Sequence, residues 1–185
     1  PDFDPEDVEL IPSGRLSLLF SGCDAASMRY ATPGRILRRD LVRLTNLAGL
    51  GCSRGVSSKA GRHLTGSWYD PQRAGEGFVL EALDDGRLFM TWFTYDADGE
   101  QAWLVGEGTI GDGRSIEIAA ARPVGGRFDD EFDPDEVALT DWGTITFRFE
   151  CGNLSADYAG PAAFGSGSLE LIPLTLPVGL GTCEG

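Results

Sequence analysis

The chain has 185 residues, 42% of them hydrophobic and 24% charged, with a formal net charge of −14. That composition belongs to a globular protein rather than a disordered one, and its acidity argues against nucleic acid as a partner, because phosphate binding needs clustered Lys and Arg. No apolar run approaches the roughly 18 residues of a membrane-spanning helix.

From the first residue onward the sequence repeats itself. Phe3-Asp4-Pro5-Glu6-Asp7-Val8-Glu9-Leu10 matches Phe132-Asp133-Pro134-Asp135-Glu136-Val137-Ala138-Leu139 without a gap. Gly14 matches Gly143, and the alternating Leu16, Leu18 and Phe20 match Ile145, Phe147 and Phe149. Cys23 matches Cys151, and Tyr30 matches Tyr158, each seven residues after its Cys. Leu44-Thr45 through Gly49-Leu50-Gly51-Cys52 then matches Leu174-Thr175 through Gly179-Leu180-Gly181-Thr182-Cys183. Searching for such self-similarity comes first because it decides the architecture. The predicted division is residues 1–52 as the C-terminal half of a first repeat, a Gly/Ser-rich linker over 53–63, and a complete second repeat over 64–185. A half-repeat of short strands leaves sheet edges and a core face that something else has to cover.

The equivalent cysteines are expected to pair within each repeat, Cys23 with Cys52 and Cys151 with Cys183. Each bond would close a loop of about 30 residues, worth roughly 3–4 kcal/mol in the chain-entropy model. Disulfides imply an oxidising compartment.

Within the complete repeat, Gly66 to Tyr69 and Glu76 to Leu83 read as strands, and Asp84-Asp85-Gly86 as a hairpin turn. Arg87 to Tyr95 is apolar at both odd and even positions, which predicts a central strand. Asp96-Ala97-Asp98-Gly99 turns into Glu100–Glu107, and Ser115–Arg122 follows. Residues 123–142 read as a long acidic loop, before strands over Gly143–Glu150, Leu154–Tyr158 and Ser168–Thr175. Pro33–Leu44 could be an amphipathic helix, but Pro173 in its partner forbids one there, so both are assigned to strands. The fold class is all-β: antiparallel meander repeats, one complete and one half, as a barrel or a sandwich.

Gly66-Ser67-Trp68-Tyr69-Asp70-Pro71 through Gly75-Glu76-Gly77-Phe78 is the most distinctive segment. With Trp92-Phe93-Thr94-Tyr95-Asp96 and Ala102-Trp103-Leu104, it resembles a repeat of secreted gammaproteobacterial proteins, G-x-W-Y-x-P-x-x-x-G-x-G-F followed by W-F-T-Y-D and a Trp strand. The resemblance covers residues 64–110 and the L-T-x-x-x-G-L-G ending. It implies secretion and modular repetition, and carries no activity or cofactor. The opening residues are also similar to the first strand of avidin-type barrels, over too short a stretch to imply biotin binding.

Trp68, Tyr69, Trp92, Tyr95 and Trp103 are candidate ligand-binding residues, because aromatic faces stack on the apolar faces of sugars. Packing in the core explains the same residues. Asp129, Asp130, Asp133 and Asp135 could gather Ca²⁺ through oxygen ligands, though a solvated acidic loop explains them too. Asp96 to Glu100 carries only half of a calcium loop. Enzyme chemistry finds little support: His63 lies in the linker with only Ser57 and Ser58 nearby, and Glu81 and Glu107 are as well explained as surface strand residues.

The sequence-based expectation is therefore a non-enzymatic, extracellular structural or adhesive protein, self-associating into a homo-oligomer or filament by strand complementation. Residues 1–63 carry a net +2 and residues 64–185 a net −16, which gives head-to-tail contacts unlike ends. The alternative is a secreted carbohydrate- or small-ligand-binding module built on the Trp/Tyr cluster.

Overall fold

The computed structural model describes residues 11–50, 61–73, 75–111, 114–127, 132–150 and 152–179. The chain divides into two compact units between Asn46 and Leu47, and among the described residues all regular structure is β apart from short 3-10 turns. Among the described residues no helix is long and apolar enough to cross a membrane.

The first unit is an antiparallel sheet in the order β1 (Arg15–Phe20), β2 (Ala25–Thr32) and β3 (Arg35–Val42). The second is a closed barrel of β4 (Gly66–Tyr69), β5 (Gly77–Ala82), β6 (Arg87–Tyr95), β7 (Gln101–Thr109), β8 (Ser115–Val124), β9 (Ala138–Glu150), β10 (Asn153–Ala159) and β11 (Ser166–Pro173). Each strand pairs with the next, and β11 pairs back onto β4 through Ile172–Tyr69 and Pro173–Trp68. The architecture left open by sequence between barrel and sandwich is thus a barrel. Eight strands enclose an interior just wide enough for side chains to fill.

The filling follows the strand alternation. Phe78, Leu80, Leu88, Met90, Leu104, Ile116, Ile118, Ile145, Phe147, Leu154 and Leu169 are sealed from solvent. Large and small residues face each other along the ladders: Leu80 pairs with Met90, which pairs with Gly106, which pairs with Ala120. A methyl group on Gly106 would sit 2.5 Å from Ile118 Cγ2 and 2.6 Å from the Ala119 carbonyl. Gly106 therefore makes the space that Ile118 occupies.

Two sequence expectations change. Residues 138–142 are not loop but the start of β9, which runs thirteen residues and takes up a bulge opposite Ala120/Ala121. A bulge bends a strand without ending its ladder, so Trp142 stays in the barrel wall and buries its ring. In addition, β6 is not a central strand covered on both sides, since a closed barrel has none. Its even positions Leu88, Met90, Trp92 and Thr94 are buried, while Phe93 and Tyr95 stand exposed outside.

The two units share one register. In the sheet, Leu16, Leu18 and Phe20 of β1 lie opposite Tyr30, Met28 and Ala26 of β2. In the barrel, Ile145, Phe147 and Phe149 of β9 lie opposite Tyr158, Ala156 and Leu154 of β10. Leu37, Arg39 and Leu41 complete the first set where Gly167, Leu169 and Leu171 complete the second. The glycines before β1 and within β9 also make the same contact. A Cβ on Gly14 would meet the Ala31 carbonyl at 2.6 Å, and one on Gly143, at φ +145°, the equivalent Ala159 carbonyl at 2.1 Å. Residues 15–42 thus reproduce the closing three strands of the barrel pair by pair.

The barrel begins before β4. Ala48 N–H donates to the Ala82 carbonyl at 2.8 Å and Leu47 bridges Leu83. Arg62–Leu64 forms a 3-10 turn, so part of the stretch expected to be linker is folded against the barrel. The Thr65 hydroxyl accepts from Ala82 N–H at 3.0 Å. Thr175 is tied to the start of β4, its Oγ1 accepting from Ser67 N–H at 2.9 Å.

Candidate functional site

The five aromatic candidates part company. Trp68 projects into the barrel from β4, and its indole N–H donates to the Leu64 carbonyl at 2.8 Å. Trp92 is buried from β6, its ring stacked on Phe78 with centroids 5.0 Å apart. These two are core residues. Tyr69, one position out of phase with Trp68, is half-buried. Tyr95 and Trp103 stand on the outside, Trp103 being 49% exposed.

The packed end of the barrel contains residues that sequence reading did not single out. Trp142 meets Trp92 edge-on at 5.6 Å, and Tyr158 and Phe164 close around them. The indole N–H groups of Trp92 and Trp142 are buried without an acceptor among the described residues. Beside this end, Glu76 accepts from the Thr94 hydroxyl at 2.7 Å and pairs with Arg73 at 2.6 Å. The Glu76 side chain is almost wholly covered, and its charge is compensated locally, as burial of a carboxylate requires.

Outside, Phe93 of β6 lies directly opposite Trp103 of β7. Trp103 also lines a groove of about 720 Å³ with Pro123, Val124, Phe132 and Val137. A signal for this surface was present in the sequence: with Trp92 facing in, Phe93 and Tyr95 have to face out. Phe132 and Val137 gave no such signal, because they come from a connection with no period, and Val124 ends β8 two residues beyond the strand expected over Ser115–Arg122. The rim is charged. Arg122 pairs with Asp96 at 3.2 Å. Partial burial works against ionisation of Asp96, but the Glu100 and Asp98 backbone N–H groups and Arg122 outweigh it and hold its pKa below the ordinary value.

Those contacts also define the 96–100 segment. Asp96 Oδ1 accepts from Asp98 N–H at 3.1 Å and Glu100 N–H at 3.0 Å, so this carboxylate organises a hairpin turn. Asp133 does the same for the 3-10 turn Pro134–Glu136, accepting from Asp135 N–H at 2.9 Å. Asp129 and Asp130 lie outside the described residues. Among those described, no three His, Cys, Asp or Glu side chains gather as a metal site.

Glu81 and Glu107 both register with Phe89, one on each side of β6. Two strand spacings separate their backbones by about 10 Å. Arg87 bonds both Asp85 and Glu107, and the Asp85 pKa is held low chiefly by its hydrogen bond with Arg87. His63 packs its ring edge-on to Phe149 at 5.8 Å, and burial lowers its pKa from the ordinary 6.5. Ser57, Ser58 and the cysteines Cys52, Cys151 and Cys183 lie outside the described residues. Cys23 lies in the β1–β2 connection, where its carbonyl accepts from Arg43 Nε at 2.8 Å.

Comparison with known proteins returns no match, whether among family models, curated proteins or solved structures.

Proposed function

We propose that this chain is a non-enzymatic extracellular structural or adhesive β-repeat protein, a subunit of a surface fibre assembled head-to-tail. One observation supports the reading above the rest. The sheet β1–β3 has the strand register of a barrel segment, yet its would-be interior is open, with Leu18 47% and Phe20 73% exposed. Both of its outer strands, β1 and β3, are paired on one side only among the described residues. A sheet with an open apolar face, whose outer strands each have one neighbour among the described residues, is a template for strand addition. Intra-repeat disulfides Cys23–Cys52 and Cys151–Cys183 belong to the same proposal and fit an oxidising, extracellular setting. Negative-stain electron microscopy and light scattering of the purified chain test the reading. Filaments or concentration-dependent oligomers are expected, and a strict monomer at every concentration would refute it.

A second reading rests on Trp103. An exposed indole beside Phe93 and Tyr95, with a charged rim at Asp96 and Arg122, combines a stacking face with hydrogen-bonding groups, as carbohydrate recognition requires. Glycan binding there would make the barrel an adhesive module. Titration of neutral oligosaccharides against tryptophan fluorescence tests it, with Trp103→Ala expected to abolish any quenching.

A further inference from the structure

We infer that β1–β3 takes as its partner the five-stranded half of a further repeat, a meander with the residue pattern of β4–β8, and closes with it into a second eight-stranded barrel. This rests on the assembly reading above and names the partner at that surface.

The register argument specifies the geometry. In the complete barrel, β9 is bordered by β8 through Ile116–Phe147 and Ile118–Ile145, and β11 by β4 through Ile172–Tyr69. The equivalent positions are Leu18 and Leu16 on β1, and Val42 on β3. The partner thus brings a β8-like strand to β1, with β-branched residues opposite Leu18 and Leu16. To β3 it brings a G-x-W-Y strand, with its tyrosine opposite Val42. Its Trp68-, Phe78- and Trp92-like side chains fill the face that Leu16, Leu18, Phe20 and Leu41 now present to water.

Charge points the same way. Residues 15–43 hold six Arg against two Asp, whereas residues 66–124 hold eleven Asp and Glu against four Arg. Arg39 stands on the open face where the barrel has Leu169. Two copies of this sheet face to face would oppose like charges, while the opposite net charge of a β4–β8 half draws it in, with Glu81, Glu107 and Glu117 staying on the outer face where they alternate with buried residues.

Strand number excludes simple exchange between identical copies. The β4–β8 half of each chain is already closed by its own β9–β11. Swapping halves between two copies would leave one three-stranded sheet open per chain, as before. The five strands come from a further repeat.

The test extends the full chain at its beginning with a second copy of residues 64–129, the stretch whose end aligns with residue 1 in the repeat. Amide hydrogen exchange is followed at Leu16, Leu18 and Leu41 in the chain with and without the extension. Protection at these amides should rise by about tenfold or more with the extension. Leu18→Asp should abolish the gain, while Ser17→Asp, on the opposite face, should keep it. Leu18→Ala, which removes bulk without adding charge, gives an intermediate gain and guards against misfolding of the aspartate variant. Unchanged protection at β1 and β3 overturns the inference, as does a gain that survives Leu18→Asp. A stable dimer of the unextended chain that already protects β1 overturns it too, since the occupant would then be a second copy of the sheet. Filaments from the unextended chain together with no gain on extension sink this inference and leave the fibre reading standing. A gain on extension without filaments does the reverse.

Discussion

Leu18 and Phe147 hold the same place in two sheets, Leu18 opposite Met28 across β1–β2 and Phe147 opposite Ala156 across β9–β10, yet one is 47% exposed and the other fully sealed. The difference lies in what covers them, because β4–β8 complete the ring around Phe147 only.

Truncation should therefore cost very different amounts at the two positions. Phe147→Ala removes a fully buried ring and is expected to lower barrel stability by about 3–5 kcal/mol. Leu18→Ala removes a side chain that is already half in water, and should cost less than about 1 kcal/mol in the chain as it stands. Chemical denaturation of the two variants, followed by tryptophan fluorescence for the barrel and hydrogen exchange for the sheet, makes the comparison.

Three of the four tryptophans supply a second comparison. Trp68→Phe deletes a donor and strands the Leu64 carbonyl, so it should cost about 1–3 kcal/mol beyond the loss of ring area. Trp142→Phe deletes an N–H that has no acceptor among the described residues and should cost only the area. Equal losses in thermal denaturation would show that the Trp142 indole has a partner after all. Trp103→Ala should leave the melting temperature nearly unchanged, because that ring is exposed.

Gly106→Val tests the packing of the barrel wall. The added side chain would collide with Ile118 and with the Ala119 carbonyl; the first can shift, the second is backbone. A loss of about 1–3 kcal/mol is expected, with partial recovery in the double variant Gly106→Val/Ile118→Ala. Recovery that fails altogether would place the strain in the backbone contact alone.

His63 sets a pH dependence. Burial beside Phe149 disfavours its charged form, so the folded state binds its proton less readily than the unfolded state does. Its contribution is fully present above the ordinary value of 6.5 and is lost as pH falls toward the lowered folded value. The melting temperature should be lower at about pH 5.5 than at about pH 7.5, and His63→Gln should flatten that slope. As the chain has a single His, its imidazole signals in NMR report the titration without ambiguity. Asp85 and Asp96, with pKa values held below 3.8, act only in stronger acid.

Strands were legible where one face is buried and turn residues bound them, as in Arg87–Tyr95, which the structure reproduces at both ends. The residue pattern puts the last strand at Ser168–Thr175, two residues later than the observed Ser166–Pro173, a boundary that periodicity alone does not fix. Residues 138–142 were missed because Ala138 to Asp141 are all exposed and give no alternation; only Trp142 faces in, and the bulge interrupts its phase. The barrel itself was not legible. Closure depends on β11 meeting β4 through two residue pairs, far apart in sequence and unmarked by any local pattern. The aromatic site was half legible: alternation distinguishes Trp92 from Phe93 once one inward residue is known, but composition alone counts all of them as one cluster.

The seam between β11 and β4 brings the two ends of the barrel to one pole, where Leu174 and Thr175 both bond Ser67. A tether pulling from both ends would load this seam crosswise, parting its few bonds one after another rather than shearing them together. In the proposed fibre, a barrel strung in this way would yield at a modest force and could reclose when slack returned, as an extensible link rather than a rigid bead.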